Sequence, residues 1–364
     1  MKAPLVRRPR RSHRPVRHWI AATGTALCLG AATLTTATAA QAAPVPAPAP
    51  APAPAKAEAP AQAPPATTTT ATTTSKSSAH ATADGRYPVG GLGTAVHNFF
   101  FSPDAVAGAN DWTCKPSSAH PYPVVLSHGT FANAGDNWVA LAPTLANQGY
   151  CVYAFNFGMN HLSLGRVGGL DDNVRSAATL SAFVDKVLAS TGARKVDIVG
   201  HSLGGMLPNY YLKRLGGADK VRTLVGMGPS NHGTTLSGLV GLGRKLNALG
   251  FVNGLFDHAG LTSLKQQETG SDFQTDLWKD GDTVPGVRYV VIATEHDQVV
   301  TPYANAFLHG DQVTNIRLQD QCPKDNVGHI GLFLDSPTLQ NIENALGPNT
   351  PGFTPTCSGY GPSF

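Results

Sequence analysis

Lys195-Val-Asp-Ile-Val-Gly-His-Ser-Leu-Gly-Gly-Met-Leu-Pro-Asn-Tyr-Tyr-Leu212 is the stretch that decides the fold. Residues 195–199 read as a short buried strand, 200–205 as a Gly-rich turn around Ser202, and 206–212 as an apolar stretch able to open a helix. Strand, G-x-S-x-G and helix in that order describe a sharp turn that strains the serine backbone. Glycines two residues to either side let strand and helix approach. Ser202 then stands at a helix N-terminus, where unpaired amides and the dipole favour developing negative charge. A Gly-rich turn that merely happens to contain serine would not need the flanking strand and helix.

Outward from this turn, apolar runs alternate with helical patterns. Pro123–Ser127 reads as a strand that stops at His128-Gly129, and Cys151–Phe155 as the next. Between them, Asn137–Asn147 places Trp138, Leu141 and Leu145 on one helical face, with Gly149 as the end signal. Asp171-Asp172-Asn173 can cap a helix running to about Ser190 with Leu180, Val184, Val187 and Leu188 inward. Val221–Met227, Val287–Ala293 and Val313–Leu318 are further strands. Continuous apolar strands separated by helices predict an α/β fold with a mostly parallel central sheet covered by helices on both faces. Chemistry in such sheets gathers at the carboxyl ends of the strands. Residues 231–264, rich in Gly and Leu, break the rhythm. They read either as a covering helix plus loop or as an apolar cap over the site that also offers surface to a lipid-like substrate.

A serine hydroxyl is a poor nucleophile until a base takes its proton, and the base is oriented by a carboxylate. With a nucleophile on such a turn the chain order is Ser, then Asp or Glu, then His. Only His309 and His329 lie beyond the strand 287–293 and its following loop. His329, in the loop 325–331 after the last strand, is the expected base; His309 is expected at the C-terminus of a helix over Tyr303–Leu308. Glu295 and Asp297 both follow the strand. Asp297 is the expected acid because the loop must carry the carboxylate outward, leaving Glu295 solvated or in a supporting place. The amide of Leu203 and that of Thr130, after Ser127-His128-Gly129, are the expected oxyanion donors, and losing one such donor typically raises a barrier by about 2.7–4 kcal/mol. His128 is expected to be structural.

The chain has 364 residues and a formal net charge of +4. Residues 1–18 hold seven bases and no acid, while residues 85–364 hold 18 bases against 21 acids. The body lacks the clustered basic surface that nucleic acid requires. A basic start, a short apolar run from Trp19 and Ala40-Gln-Ala42 read as a secretory signal peptide over 1–42. The apolar run is too short, and too rich in Thr and Ala, for a stable membrane anchor. Residues 43–84 are an Ala/Pro/Thr-rich disordered linker by composition, and 85–364 the catalytic body. A secreted, extracellular chain that acts as a monomer is expected. After signal removal four cysteines remain, an even count that favours two disulfides. Cys114 with Cys151 and Cys322 with Cys357 is the expected pairing, each linking a loop to a neighbouring segment in the same half. No Cys/His spacing resembles a zinc site, and neither a metal nor a cofactor is expected.

Ser127-His-Gly-Thr-Phe-Ala-Asn133, Gly200–Gly205, Met227-Gly-Pro-Ser-Asn-His-Gly-Thr234, Gln266-Gln267 with Gly270-Ser-Asp-Phe273, and Asp297–Pro302 together resemble the secreted class 2 lipases of actinobacteria, within the α/β-hydrolases. The resemblance spans about 94–357. It implies a carboxylester hydrolase, a triacylglycerol lipase above all, with Ser202, Asp297 and His329 as triad and Thr130 and Leu203 as oxyanion hole. Its partner is an ester or acylglycerol, met at a lipid–water interface. A polyester depolymerase or short-chain esterase is the alternative within the enzymes, and a non-catalytic secreted binding module the one outside them. Leu264 stands where some relatives are expected to carry cysteine, so an extra disulfide is not carried over, and no motif supports calcium.

Overall fold

Six strands build one parallel sheet: β1 (Val124–Ser127), β2 (Val152–Phe155), β3 (Val196–His201), β4 (Val221–Met227), β5 (Arg288–Ala293) and β6 (Val313–Arg317). Their spatial order is β2-β1-β3-β4-β5-β6. This is the α/β-hydrolase architecture, seen in a computed structural model that describes residues 81, 85–235, 238, 241 and 262–364. The expected signal peptide, nearly all of the linker, and most of the expected cap at 231–264 lie outside the described residues.

The helices with described bounds are α1 (Leu92–Phe101), α2 (Ala134–Asn137), α3 (Leu141–Asn147), α4 (Asn173–Thr191), α5 (Leu203–Arg214), α6 (Thr262–Gln266), α7 (Asp272–Trp278), α8 (Leu318–Gln321) and α9 (Ser336–Leu346). Every residue of β1, β2 and β3 is buried, which explains their unbroken apolar runs. Because successive strand side chains face opposite ways, Val124 and Leu126 join a core with Trp138, Leu145 and Ile342. Val125 and Ile198 join another with Leu180, Val184 and Leu207. The sheet is thus covered by α3 and α9 on one side and by α4 and α5 on the other. In α4, Asp172 accepts the Arg175 amide, as the capping pattern predicts, and Gly192 ends the helix at φ 75°.

Two elements differ from the sequence reading. The helix expected over 137–147 is split: Asn133 and Asp136 form a capping box that starts α2 early, and α3 begins only at Leu141. The last residue of α2, the buried Asn137, accepts the Gly129 amide at 2.9 Å. The helix expected over 303–308 is a single 3-10 turn, Tyr303–Ala306. Asn315 of β6 pairs its side chain with both the amide and the carbonyl of Leu308, at 3.3 and 2.8 Å, and holds the chain extended there. His309 therefore does not cap a helix.

The sheet's neighbours on either side of β1 are β2 and β3, so the chain order reverses there. Loops leaving the carboxyl ends of β1 and β3 at such a point frame a crevice. Disulfides join Cys114 to Cys151 and Cys322 to Cys357. The first pins the segment before β1 to the start of β2; the second pins the end of α8 to the C-terminal tail.

Candidate active site

Ser202 sits between the last residue of β3 and the first of α5 with φ 55° and ψ −124°, a conformation disfavoured for any residue with a Cβ. Its amide donates to the Met227 carbonyl at 3.0 Å, which ties the turn to β4. The glycine spacing follows from the crossing of strand and helix. A Cβ on Gly200 would lie 2.0 Å from the Gly204 carbonyl oxygen, and one on Gly204 2.0 Å from the Ser127 carbonyl oxygen.

His329 lies in the loop after α8, and its ring bridges two segments far away in sequence. Ser202 Oγ is 2.9 Å from His329 Nε2, and His329 Nδ1 is 2.7 Å from Asp297 Oδ2. The second oxygen of Asp297 accepts the amides of Val299 and Val300, each at 2.8 Å. Those bonds fix the carboxylate plane, leaving Oδ2 for the imidazole. All three residues are buried. Hydroxyl, imidazole and carboxylate in hydrogen-bonded series can move a proton from oxygen to nitrogen while the carboxylate steadies the positive ring. Glu295, the other candidate acid, is partly exposed and pairs with Arg317 Nη1 at 3.4 Å. The other candidate base, His309, pairs with Asp282.

The turn after β1 lies against the serine: a Cβ on Gly129 would be 3.2 Å from Ser202 Cβ. Phe131 donates its amide to the Gly168 carbonyl and Gly168 donates to Ala132, both at 2.9 Å. Gly169 packs on both donor candidates, its Cβ direction meeting Thr130 Cα at 2.8 Å and Leu203 Cδ2 at 3.2 Å. The Thr130 hydroxyl accepts from Gln267 Nε2 at 3.0 Å, and Ser230 Oγ donates to Gln267 Oε1 at 3.0 Å. Gln267, fully buried, therefore braces Thr130 from the far side.

Two more histidines frame the site. His128 donates from Nδ1 to the Gly129 carbonyl at 2.9 Å, accepts the Phe157 amide at Nε2 at 3.3 Å, and stacks on the Phe157 ring. A neutral imidazole satisfies both bonds. Burial holds its pKa at about 4, the Gly129 bond only partly opposing. His201 Nε2 lies 3.1 Å from the carbonyl oxygen of His329 and Nδ1 3.2 Å from Asn137 Oδ1. Burial, helped by the neighbouring His329, pushes its pKa down to about 3. These rings are structural, each holding a loop of the site.

Main-chain contacts fix the loop carrying His329. Gly328 donates to the Pro362 carbonyl and Ile330 to the Phe364 carbonyl, both at 3.0 Å, and Gln298 Nε2 donates to Ser363 at 3.0 Å. Sequence reasoning missed this tail, which has no motif, and assigned no role to Gln267 or Asn137. Gln267 had been visible only as half of a Gln-Gln pair. A cavity of ≈ 350 Å³ lined by Tyr122, Tyr150, Asp197 and Arg222 opens at the amino ends of the strands, away from Ser202. Its Asp197 is engaged by Arg222.

Fold and geometry define an α/β-hydrolase with a serine–histidine–aspartate series at the carboxyl end of the sheet. Residues 121–340 match the family described as Lipase (class 2), and the chain belongs to that family. Among curated proteins, it is 37% identical over 98 residues to a triacylglycerol lipase of Pseudarthrobacter phenanthrenivorans, covering 26% of this chain and 28% of that one. The corresponding enzyme of Burkholderia plantarii is also 37% identical over 98 residues, covering 26% and 25%. A triacylglycerol lipase of Vibrio cholerae is 31% identical over 123 residues, covering 33% and 36%. The chain thus spans about a quarter to a third of the length of these relatives. Of solved structures, Aspergillus fumigatus lipase B superimposes with a TM-score of 0.50 at 20% identity, covering 64% of this chain and 55% of that one. That likeness concerns the fold.

Proposed function

We propose that this protein is a secreted serine carboxylester hydrolase acting on acylglycerols, with Ser202 as nucleophile, His329 as base and Asp297 as its orienting acid. The 2.9 Å contact between Ser202 Oγ and His329 Nε2 carries the reading. In the reaction, Ser202 Oγ attacks the ester carbonyl carbon while its proton passes to His329 Nε2. The carbonyl oxygen becomes an oxyanion facing the amides of Thr130 and Leu203. Collapse expels the alcohol, which takes the proton back from His329 and leaves an acyl-Ser202. Water, deprotonated by the same imidazole, attacks the acyl carbon; the bond to Ser202 Oγ then breaks, Oγ takes the proton from His329 Nε2, and the fatty acid is released. Asp297, hydrogen-bonded to Nδ1, holds the imidazole in place and stabilises its positive form. The chain's own groups suffice for every step.

Action at a lipid surface is part of this reading. Phe101 and Leu164 are 75% and 79% exposed, in segments joined by the bond from Arg166 Nε to the Phe100 carbonyl. They offer apolar side chains close to the loop of Thr130. Export rests on the basic and apolar residues 1–42 and suits the two disulfides; no described helix is long and apolar enough to cross a membrane.

The reading is tested with a serine-reactive alkyl phosphonate and an emulsified triacylglycerol. One phosphonate per chain on Ser202, and loss of hydrolysis in Ser202→Ala, are expected. Ser202→Ala with unchanged turnover would end the assignment. A preference for acetate esters without gain at an interface would replace the acylglycerol substrate with small soluble esters.

A further inference from the structure

Three segments away from the serine bring two imidazoles onto one carboxylate. His232 lies in the turn after β4, Asp282 in the turn before β5, and His309 between the 3-10 turn and β6. His232 Nε2 is 3.2 Å and His309 Nδ1 3.0 Å from the same oxygen, Asp282 Oδ2. All three ligand atoms lie within 4.8 Å of one another. We propose that His232, Asp282 and His309 form a binding site for a divalent transition metal of the zinc type.

The donor set suits that class of ion. Two imidazole nitrogens and one carboxylate oxygen favour zinc and its neighbours over calcium or magnesium, which take oxygen ligands. Zinc–ligand bonds of 2.0–2.1 Å at a tetrahedral angle separate the ligand atoms by about 3.3 Å. The two nitrogen–oxygen distances already approach that value, so only the gap between the imidazoles has to close. The ring of His309 is free to close it, its side chain being 87% exposed. The same exposure leaves the fourth position to water. Binding exchanges two N–H···O bonds for metal–ligand bonds, each ring turning a lone pair toward the ion and carrying its N–H on the outer nitrogen.

The backbone around the site is fixed before any ion arrives. His232 donates its amide to the Asn305 carbonyl at 2.9 Å, Asn305 Nδ2 donates to Gly233 at 3.2 Å, and Asn231 Nδ2 donates to Ala306 at 2.6 Å. These bonds zip the turn after β4 to the segment leading to His309. The His309 amide donates to Asp282 Oδ2 at 2.7 Å, a bond the oxygen's second lone pair can keep. The nearby ammonium of Lys213 is held by the carbonyls of Leu277 and Gly281 rather than by Asp282. The ligands are 50 and 27 positions apart, which explains why no local spacing motif announced them. An ion here would clamp both ends of the β4–β5 connection to the β5–β6 connection, at the root of the segment that follows residue 235. The site lies outside the triad and is independent of the reaction proposed above.

The test titrates zinc chloride into the full-length chain, stripped with EDTA, by calorimetry, and follows thermal unfolding with and without zinc. One saturable equivalent is expected, with a midpoint that rises with zinc. His309→Ala, a change at an exposed side chain, should weaken binding about tenfold or more and abolish the rise. Asp282→Asn should do the same. No saturable equivalent, or binding equally tight in His309→Ala and Asp282→Asn, would overturn the site.

Discussion

His201, the residue before the serine, lies with Nε2 3.1 Å from the main-chain carbonyl oxygen of His329. The turn that presents the hydroxyl therefore also holds the backbone of the imidazole that faces it, and displacement of one displaces the other. His201→Ala should lower kcat by up to about 100-fold with little change in KM, since a misplacement of about 1 Å can cost that much. His201→Gln, whose amide can reach the same carbonyl, should recover part of the rate. Steady-state kinetics on a soluble chromogenic ester would decide, and an unchanged kcat in His201→Ala would remove the positioning role.

The same ring makes stability depend on pH. The folded-state pKa of His201 is about 3 and that of His128 about 4, both below the ordinary 6.5. Between those values the unfolded chain binds protons that the folded chain refuses. Their contribution is complete above pH 6.5 and is lost as pH falls, toward about 4 for His128 and toward about 3 for His201. Each imidazole contributes a slope of about 1.4 kcal/mol per pH unit in that window. Urea unfolding at several pH values should show a slope shallower by about that amount in His201→Gln. Equal slopes would mean that His201 is already protonated in the folded chain.

Gly204→Ala and Gly93→Ala should act in opposite directions. At position 204 the new methyl meets the Ser127 carbonyl oxygen at 2.0 Å, backbone against backbone, with no flexible end to yield. Loss of soluble folded protein is expected. At position 93, inside α1, a Cβ meets nothing within 4 Å. Alanine there should stabilise by about 0.5–1 kcal/mol through helix propensity and a less disordered unfolded chain. Thermal unfolding of the two variants measures both.

The contrast between those glycines shows what sequence can convey. Gly200 and Gly204 are legible because G-x-S-x-G fixes a crossing of strand and helix whose tightness is local. β1 to β5 are legible because strands buried on both faces need largely unbroken apolar runs, whereas β6, at the sheet edge and exposed at Thr314 and Asn315, carries no such run. Asp297 and His329 could be placed by chain order, since the order of strands limits which loops reach the serine. Gln267 was not legible as a brace, because its partners Thr130 and Ser230 are 137 and 37 positions away. Nor was the break at Asn137: a helical face continues through Trp138, and only the tertiary demand of the Gly129 amide shows why the helix stops.

The C-terminal residues offer a sharper test of how the imidazole is held. Gly328 and Ile330, one residue to either side of His329, both donate to carbonyls of the tail, and Gly361 donates to Asp335 Oδ1 at 2.9 Å. A Cβ on Gly331 would lie 1.9 Å from the Pro362 carbonyl oxygen, so tail and loop are in backbone contact. The Cys322–Cys357 disulfide delivers the tail to this place. Removing residues 361–364 takes away the acceptors on both sides of His329 but leaves every strand and α9 intact. At about 0.5–1.5 kcal/mol per hydrogen bond, the loss of the five bonds made by Gly328, Ile330, Gly331, Gln298 and Gly361 costs about 2.5–7.5 kcal/mol, three of them in the loop of His329. The truncated chain should fold, yet its imidazole should sample positions away from Ser202, with kcat and the rate of phosphonate labelling falling together by about tenfold or more. Reducing the disulfide in the intact chain should produce a smaller loss, because the tail can still bind without its tether. If truncation lowered the unfolding midpoint while phosphonate labelling kept its original rate, the tail would be a stabiliser of the fold with no hold on the base.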